Sequence, residues 1–457
     1  MAGNDNFLLH QRILLIIIMV ALIQPVTPAS AQIEHYATSH TTGIMRGEVE
    51  VTRTDAAFEG YNLFVLRERG RANRQNNQTL IITDMNGNVE YERIITNGGT
   101  FELADLSVEF VSPTTLLVGY PFNVALVNIY TGATELLGFY GHHEYEYNPN
   151  NKTVFTFREN EEEIEGSMYI FDLINEYDLD GNLVWSLDVS EFITPDMQCP
   201  YSHLVEGVPD VAHSNTIFYD TNEDVIYYNP RNVNTFYKID HKTGDVIWGL
   251  GEYGDFAMYD AFGIKVDYLF FHSHSLERID DDTFILFDND FHNKNLERNH
   301  KSRIIEITID EGRMEANASW IWRGTDRYWS IIWGDADRLP NGNRLGAFGA
   351  DDRPGFFNEG AHLIEVTEDG EIAWKFTFKN NDMYTYGIYR MERFRYTPIL
   401  LSPTQLHFEP DEDVILNWEA FYNYRPKRMI EGDYTLTGMS ARLDSGTFLY
   451  DRFWRPA

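Results

Sequence analysis

Six stretches of this chain repeat one local pattern, a short turn built on Asx-Gly or Thr-Gly followed by a β-prone run that often ends in Trp. DMNGNVEYE around Gly87, NIYTGATELLG around Gly132, DLDGNLVWSL around Gly181, DHKTGDVIWGL around Gly244 and TEDGEIAWKF around Gly370 carry it, and TIDEGRMEANASWIW around Gly312 is a looser copy. Self-similarity at about 40 to 60 residues, with four short strands per unit and few helical patterns, is the signature of a radial β array. Six copies predict an all-β chain folded as a six-bladed β-propeller. Residues 60–398 are assigned to it, 32–59 to an N-terminal β segment packed on the same ring, and 399–457 to a small β appendage or a strand-donating tail that closes the ring.

The fourth unit shows the layout best. NTIFYD and DVIYYNP form an inner hairpin about Thr221-Asn222, and TFYKID and DVIWGL form the outer pair. In such a hairpin the start of the first strand and the end of the second lie together. His213 and Arg231 are equidistant from residue 222, so both tips meet on one face of the propeller, with Asn215 two residues along on the side of His213. The same fold-back brings His143 opposite Arg158 in the third unit and His274 opposite Asp288, next to Asn289, in the fifth. Asp335 falls near Gly349 in the sixth. Three successive units thus place a histidine at the mouth of the innermost strand, where radial symmetry aims it at the central channel. A single histidine there is ordinarily a turn residue, and Arg158 has an obvious partner in the acidic run Glu159 to Glu165. Three histidines at one repeat phase with an Arg and an Asn form a constellation.

Composition narrows the chemistry. The chain has 457 residues, 43% of them hydrophobic, enough for a large core. Asp and Glu number 71 against 36 Lys and Arg, a formal charge of -35 that repels phosphate backbones and argues against nucleic acid as a partner. Residues 1–31 read as an export signal: Arg12, an apolar run from Ile13 to Ile23, and a small-residue site at Ala29-Ser30-Ala31. That run is short for a bilayer span, so cleavage after Ala31 and a secreted or periplasmic mature chain are expected, with no stable membrane span. Cys199 is the single cysteine, which excludes an internal disulfide. Three histidines could hold Zn²⁺ with an open position, but a neighbouring Arg opposes a second cation unless an anionic substrate lies between them. The set suits a tetrahedral oxyanion: Arg offers a planar fork, Asn an amide donor, and His a nucleophile or general acid.

At these residues the sequence resembles the bacterial-type arylsulfotransferases that do not depend on an adenylyl sulfate donor. The similar text is VAHSNTIFYDTNEDVIYYNPRNVNTFYKIDHKTGDVIWGLG, FHSHSLERIDDDTFILFDND with SRIIEITID, and WGDADRLPNGNRLGAFG with LIEVTEDGEIAWKF. The resemblance implies a six-bladed propeller that moves a sulfuryl group from an aryl sulfate donor to a phenolic acceptor by a ping-pong route. It gives His274 the role of the transiently sulfated histidine, and His213, Asn215 and Arg231 that of holding the sulfuryl oxygens. His143 resembles an upstream active-site histidine, with His142 adjacent as the alternative. No organic cofactor or metal is needed, and a homodimer is one assembly such a chain could form. The motif SHS stands at His274 where Gln-His-Asp is commoner.

Two other readings stand beside it. DHKTGDVIW resembles the blade motif of quinone-cofactor dehydrogenases, but the motif is complete in one unit only and no adjacent cysteine pair exists. A non-catalytic extracellular propeller binding an anionic or sulfated ligand is the second; it has little need of a histidine in the attacking position.

Overall fold

The computed structural model describes residues 34–39, 48–71, 76–97, 107–202, 204–292, 301–324, 328–349, 360–397, 399–401 and 419–421. The expected export signal, residues 1–31, and most of the 399–457 segment lie outside these residues. Among the described residues no helix is long and apolar enough to cross a membrane.

The chain is a six-bladed β-propeller, each blade built on four antiparallel strands, with Ala257–Tyr259 and Lys265–Val266 extending the outer edge of blade five, the former in parallel. Blade two runs Val108–Ser112, Thr115–Tyr120, Asn123–Asn128, Thr134–Leu136, and blade three runs His142–Asn148, Thr153–Ile164, Ser167–Asp178, Leu183–Asp188. Blade four is Ser214–Asp220, Val225–Pro230, Thr235–Asp240, Val246–Gly251; blade five is His274–Arg278, Thr283–Asp288, Arg303–Asp310, Glu315–Arg323. Blade six is Asp335–Arg338, Arg344–Phe348, Gly360–Val366, Ile372–Lys379. Blade one is composite: Tyr61–Gly70, Asn77–Thr83 and Val89–Asn97 pair inward with Tyr384–Phe394, which closes the ring. Closure therefore lies upstream of the 399–457 segment. At the other edge of blade six, Glu48–Arg53 and Glu34–Ser39 add two outer strands, and Ile399–Leu401 pairs with Glu419–Phe421 as a separate ribbon.

The repeated turn sits between the third and fourth strands of every blade. Gly87, Gly132, Gly181, Gly244 and Gly370 adopt φ of 84, 71, 84, 78 and 85°, a left-handed conformation that a side chain resists. The Trp that follows explains why turn and strand travel together. Trp322 of blade five donates its indole N–H to the Gly370 carbonyl in the turn of blade six (3.0 Å), and Trp374 of blade six donates to Met85 O in the turn of blade one (2.9 Å). In blades five and six the outer strand thus fastens to its neighbour's turn, and buried rings fill the wedge between blades.

Ionic contacts reinforce the closure. Arg393 of the closing strand, fully buried, pairs with Glu365 of blade six at 2.8 Å and donates to Asn62 Oδ1 and the Phe58 carbonyl. Its charge is compensated by Glu365, and Nε and Nη1 also donate to neutral oxygens, the pairing that lets a buried ion be tolerated.

Candidate active site

Three inner strands begin with the same backbone device. The ladder between first and second strands slips between His142 and Tyr145 in blade three, between Ser214 and Thr216 in blade four, and between His274 and Glu277 in blade five. Beside these bulges His143, His213 and Ser275 take φ of 62, 48 and 50°, and His272 takes 53°. Left-handed conformations at non-glycine residues cost about 1–3 kcal/mol each and persist where the surroundings enforce them. The bulges re-aim side chains that a regular ladder would alternate between faces.

The result is a cluster. The His143 and His213 rings lie 4.9 Å apart between centroids, and Tyr389 of the closing strand stands 6.1 Å from His143 and 5.9 Å from His274. The inner strands of blades three to six and the closing strand pack on one another in turn around the centre. His142 points away: its Nε2 lies 3.1 Å from Asp172 Oδ1, while its Nδ1 meets His143 Nδ1 at 2.8 Å. His143 is therefore the member of the pair that faces the cluster.

Hydrogen bonding fixes the chemistry of His274. Asn289 donates both amide protons, to the carbonyls of Ser330 (2.7 Å) and Trp333 (2.8 Å), so its Oδ1 must accept from His274 Nδ1 at 2.6 Å. That assignment places the proton on Nδ1 and the lone pair on Nε2. Burial, then the charge of Arg231, with smaller contributions from His213 and Arg390, holds the His274 imidazole well below the usual histidine range. Burial and the neighbouring His213, His142, His274 and Arg231 do the same to His143. Both rings are neutral near neutral pH.

His213 is a different kind of histidine. Its Nδ1 meets Asp210 Oδ2 at 2.5 Å, and its backbone N–H donates to the other oxygen at 3.1 Å. A carboxylate on Nδ1 orients the ring and accommodates an imidazolium, the arrangement of acid–base pairs. Asp210 was not among the residues expected from sequence; its place three residues ahead of His213 is the only signal.

Arg231 and His213 meet at the hairpin tips as the fold-back predicts, Arg231 N–H donating to the His213 carbonyl at 3.2 Å. The buried guanidinium donates from Nη1 to Asn232 Oδ1 (3.1 Å) and from Nη2 to the Ile331 carbonyl (3.2 Å), both neutral acceptors. Asn215 is fully buried and acts as a joint between blades. Its amide donates to the Ser273 carbonyl (2.8 Å) and its oxygen accepts from Asn229 and Thr216. Its own carbonyl accepts from Tyr389 Oη (3.2 Å) and Arg390 Nη2 (3.1 Å). The side chain thus braces the segment before His274 instead of presenting its oxygen and amide together to the channel, which departs from the oxyanion-holding role that the resemblance gives it. Arg390, tied to Glu144 at 2.5 Å, and Tyr389 enter from the closing strand, outside the fold-back reasoning. Arg158 stacks on the Tyr140 ring at 3.8 Å in place of the expected acidic run, and Asp335 accepts from Ser275 Oγ and Met391 N as a structural carboxylate.

The profile of the arylsulfotransferase (ASST) family matches residues 46–390, the whole ring up to Arg390 in the closing strand. The chain belongs to the arylsulfotransferase family. As an arylsulfotransferase-family protein it acts on small-molecule substrates. A search of curated protein sequences finds no significant relative. Among solved structures, the periplasmic gluconolactonase PpgL of Pseudomonas aeruginosa is similar at 10% identity and TM-score 0.39, over 78% of this chain and 100% of that one. Apo AztD from Citrobacter koseri is similar at 10% identity and TM-score 0.35, over 72% and 99%. Hydrazine synthase of Kuenenia stuttgartiensis is similar at 13% identity and TM-score 0.31, over 60% and 67%. Likenesses this distant carry no argument about the site.

Proposed function

We propose that this protein transfers a sulfuryl group from an aryl sulfate to a phenol through a sulfated His274. The observation that carries the reading is the Asn289 clamp, which leaves a neutral imidazole with its Nε2 lone pair available beside a buried guanidinium. In the first half-reaction Nε2 attacks sulfur, the S–O bond to the aryl group breaks, and the phenolate takes a proton from the imidazolium of His213, whose positive charge Asp210 offsets. Arg231 bears the charge on the sulfuryl oxygens, where fixed donors outperform water because they need no reorganisation. In the second half-reaction neutral His213 removes the proton of an incoming phenol, its oxygen attacks sulfur, and His274 departs neutral with its Nδ1 proton still on Asn289. One proton site serves both halves in opposite directions. His143 and Tyr389 line the cluster, and Asn215 positions it. The same proposal takes residues 1–31 as an export signal, which would carry this chemistry outside the cytoplasm.

The test is rapid mixing of the full mature chain with 4-nitrophenyl sulfate, with and without added phenol, followed by intact-mass and peptide mapping. A burst of nitrophenolate, an alkali-stable sulfuryl adduct on His274 and faster turnover with phenol are expected. His274→Gln should lose turnover by roughly 10³-fold or more. Absence of burst and adduct across a panel of aryl sulfates overturns the reading and leaves a propeller that binds anions.

A further inference from the structure

Against the Arg231 turn a second cluster gathers that the sulfuryl chemistry does not use. Cys199 Sγ, a ring nitrogen of His272 and a ring nitrogen of His292 all lie within 4.8 Å of one another. Cys199 Sγ is 3.6 Å from His292 Nδ1, and the His272 and His292 rings stand 4.9 Å apart at 88°. His272 is fully buried, yet neither of its ring nitrogens has a hydrogen-bond partner among the described residues. A buried imidazole without a partner is costly and rare, and calls for an ion or water to satisfy it. Three segments remote in sequence converge on it: the loop after Pro195–Met197, the approach to the blade-five inner strand, and the turn after its second strand.

We propose that Cys199, His272 and His292 bind a divalent ion of the zinc class, with a fourth position left to water or to an exogenous ligand. Zinc takes thiolate sulfur at about 2.3 Å and imidazole nitrogen at about 2.0–2.1 Å, and tetrahedral angles then set sulfur and nitrogen about 3.5 Å apart. The observed Cys199–His292 separation of 3.6 Å is that edge. The third nitrogen, within 4.8 Å of the other two atoms, needs an approach of at most about 1.5 Å, within the reach of side-chain rotations. A thiolate with two imidazoles selects zinc or copper over calcium or magnesium, whose ligands are oxygens. One thiolate reduces the added charge to a single positive unit beside Arg231, which an anionic substrate tolerates.

The backbone shows what the ion would hold. The Cys199 N–H donates to the Asn232 carbonyl at 2.8 Å, and the His272 N–H donates to Asn234 Oδ1 at 3.0 Å. Arg231–Val233, capped by Asn234, is the turn that presents the guanidinium. An ion on Cys199 and His272 clasps that turn from both sides, so its role is to position Arg231; it takes no part in bond making. The assignment stands independently of the sulfuryl reading.

The experiment is titration of the chelator-stripped, reduced full chain with Co²⁺, then displacement by Zn²⁺. One equivalent with a thiolate-to-cobalt charge-transfer band and intense tetrahedral d–d absorption is expected. Cys199→Ser should bind at least about 10²-fold more weakly and lose the charge-transfer band, and His292→Gln should weaken binding by about 10-fold or more. His274→Gln, inactive under the proposed function, should bind cobalt as the parent does. Circular dichroism shows whether each variant is folded, and His292→Gln answers the question if Cys199→Ser is not. Failure to bind one equivalent, or binding without the thiolate band that survives Cys199→Ser, overturns the proposal.

Discussion

Blades four and five differ from blade six in how they treat one strand. In four and five the inner ladder is broken by a bulge at its mouth, and the histidines beside it sit in or next to left-handed backbone. In blade six the ladder from Asp335 to Arg338 runs without a slip, and Asp335 faces only Ser275 Oγ and the Met391 N–H. Both arrangements bury polar groups at the ring centre. The regular strand uses them to join blades, whereas the bulged strands store local strain to aim the ring nitrogens that the proposed transfer would use. Function here is a departure from the repeat, made where neighbouring blades over-determine the backbone.

That contrast can be broken most sharply at Arg231. Arg231→Met should lower kcat by roughly 10³-fold with the fold intact, as loss of an oxyanion donor does. Removing that charge also relieves one cause of the depressed His274 affinity for protons. The acid limb of kcat/KM, which in the parent lies well below the usual histidine range because a neutral ring is required, should move upward. A pH profile that stays put would show that burial alone neutralises His274. Asp210→Asn should cost about 10²-fold in kcat, most for donors with poor phenolate leaving groups, because His213 loses the carboxylate on Nδ1. An effect independent of the leaving group would make Asp210 a structural residue like Asp335. The smallest effect belongs to the regular blade. His362, buried in blade six with Nδ1 3.0 Å from Thr377 Oγ1, is a packing histidine, so His362→Gln should lower the urea unfolding free energy by about 1–2 kcal/mol and leave kcat unchanged.

The ring and its phase were legible in sequence because each depends on a local signal. Gly87, Gly132, Gly181, Gly244 and Gly370 mark turns that demand left-handed backbone, and a hairpin that folds symmetrically about residue 222 must bring His213 to Arg231. What escaped depends on one-residue slips or on contacts across blades. The bulge shifts His274 opposite Phe287 rather than Asp288, so the partner that sets its tautomer, Asn289, was seen only as a neighbour. Tyr389 and Arg390 belong to a strand whose pairing partners lie more than three hundred residues upstream, and no short motif announces such closure. The Cys199, His272 and His292 cluster joins three loops in the same way. Long-range pairing carries an entropic cost that only the assembled ring offsets, and it leaves little trace in local text.

The closing strand has a consequence for timing. Tyr389 and Arg390 stand at the ring centre, and Asn215, which braces the approach to His274, hydrogen-bonds both through its own carbonyl. Every other element of the centre is synthesised earlier. A chain emerging amino end first therefore carries an open crescent of five blades and part of a sixth, with its histidines in place but unbraced, until residues 384–394 arrive. Under the proposed function, competence is conferred at a single late moment, and a chain interrupted before residue 384 is expected to be silent rather than partly active.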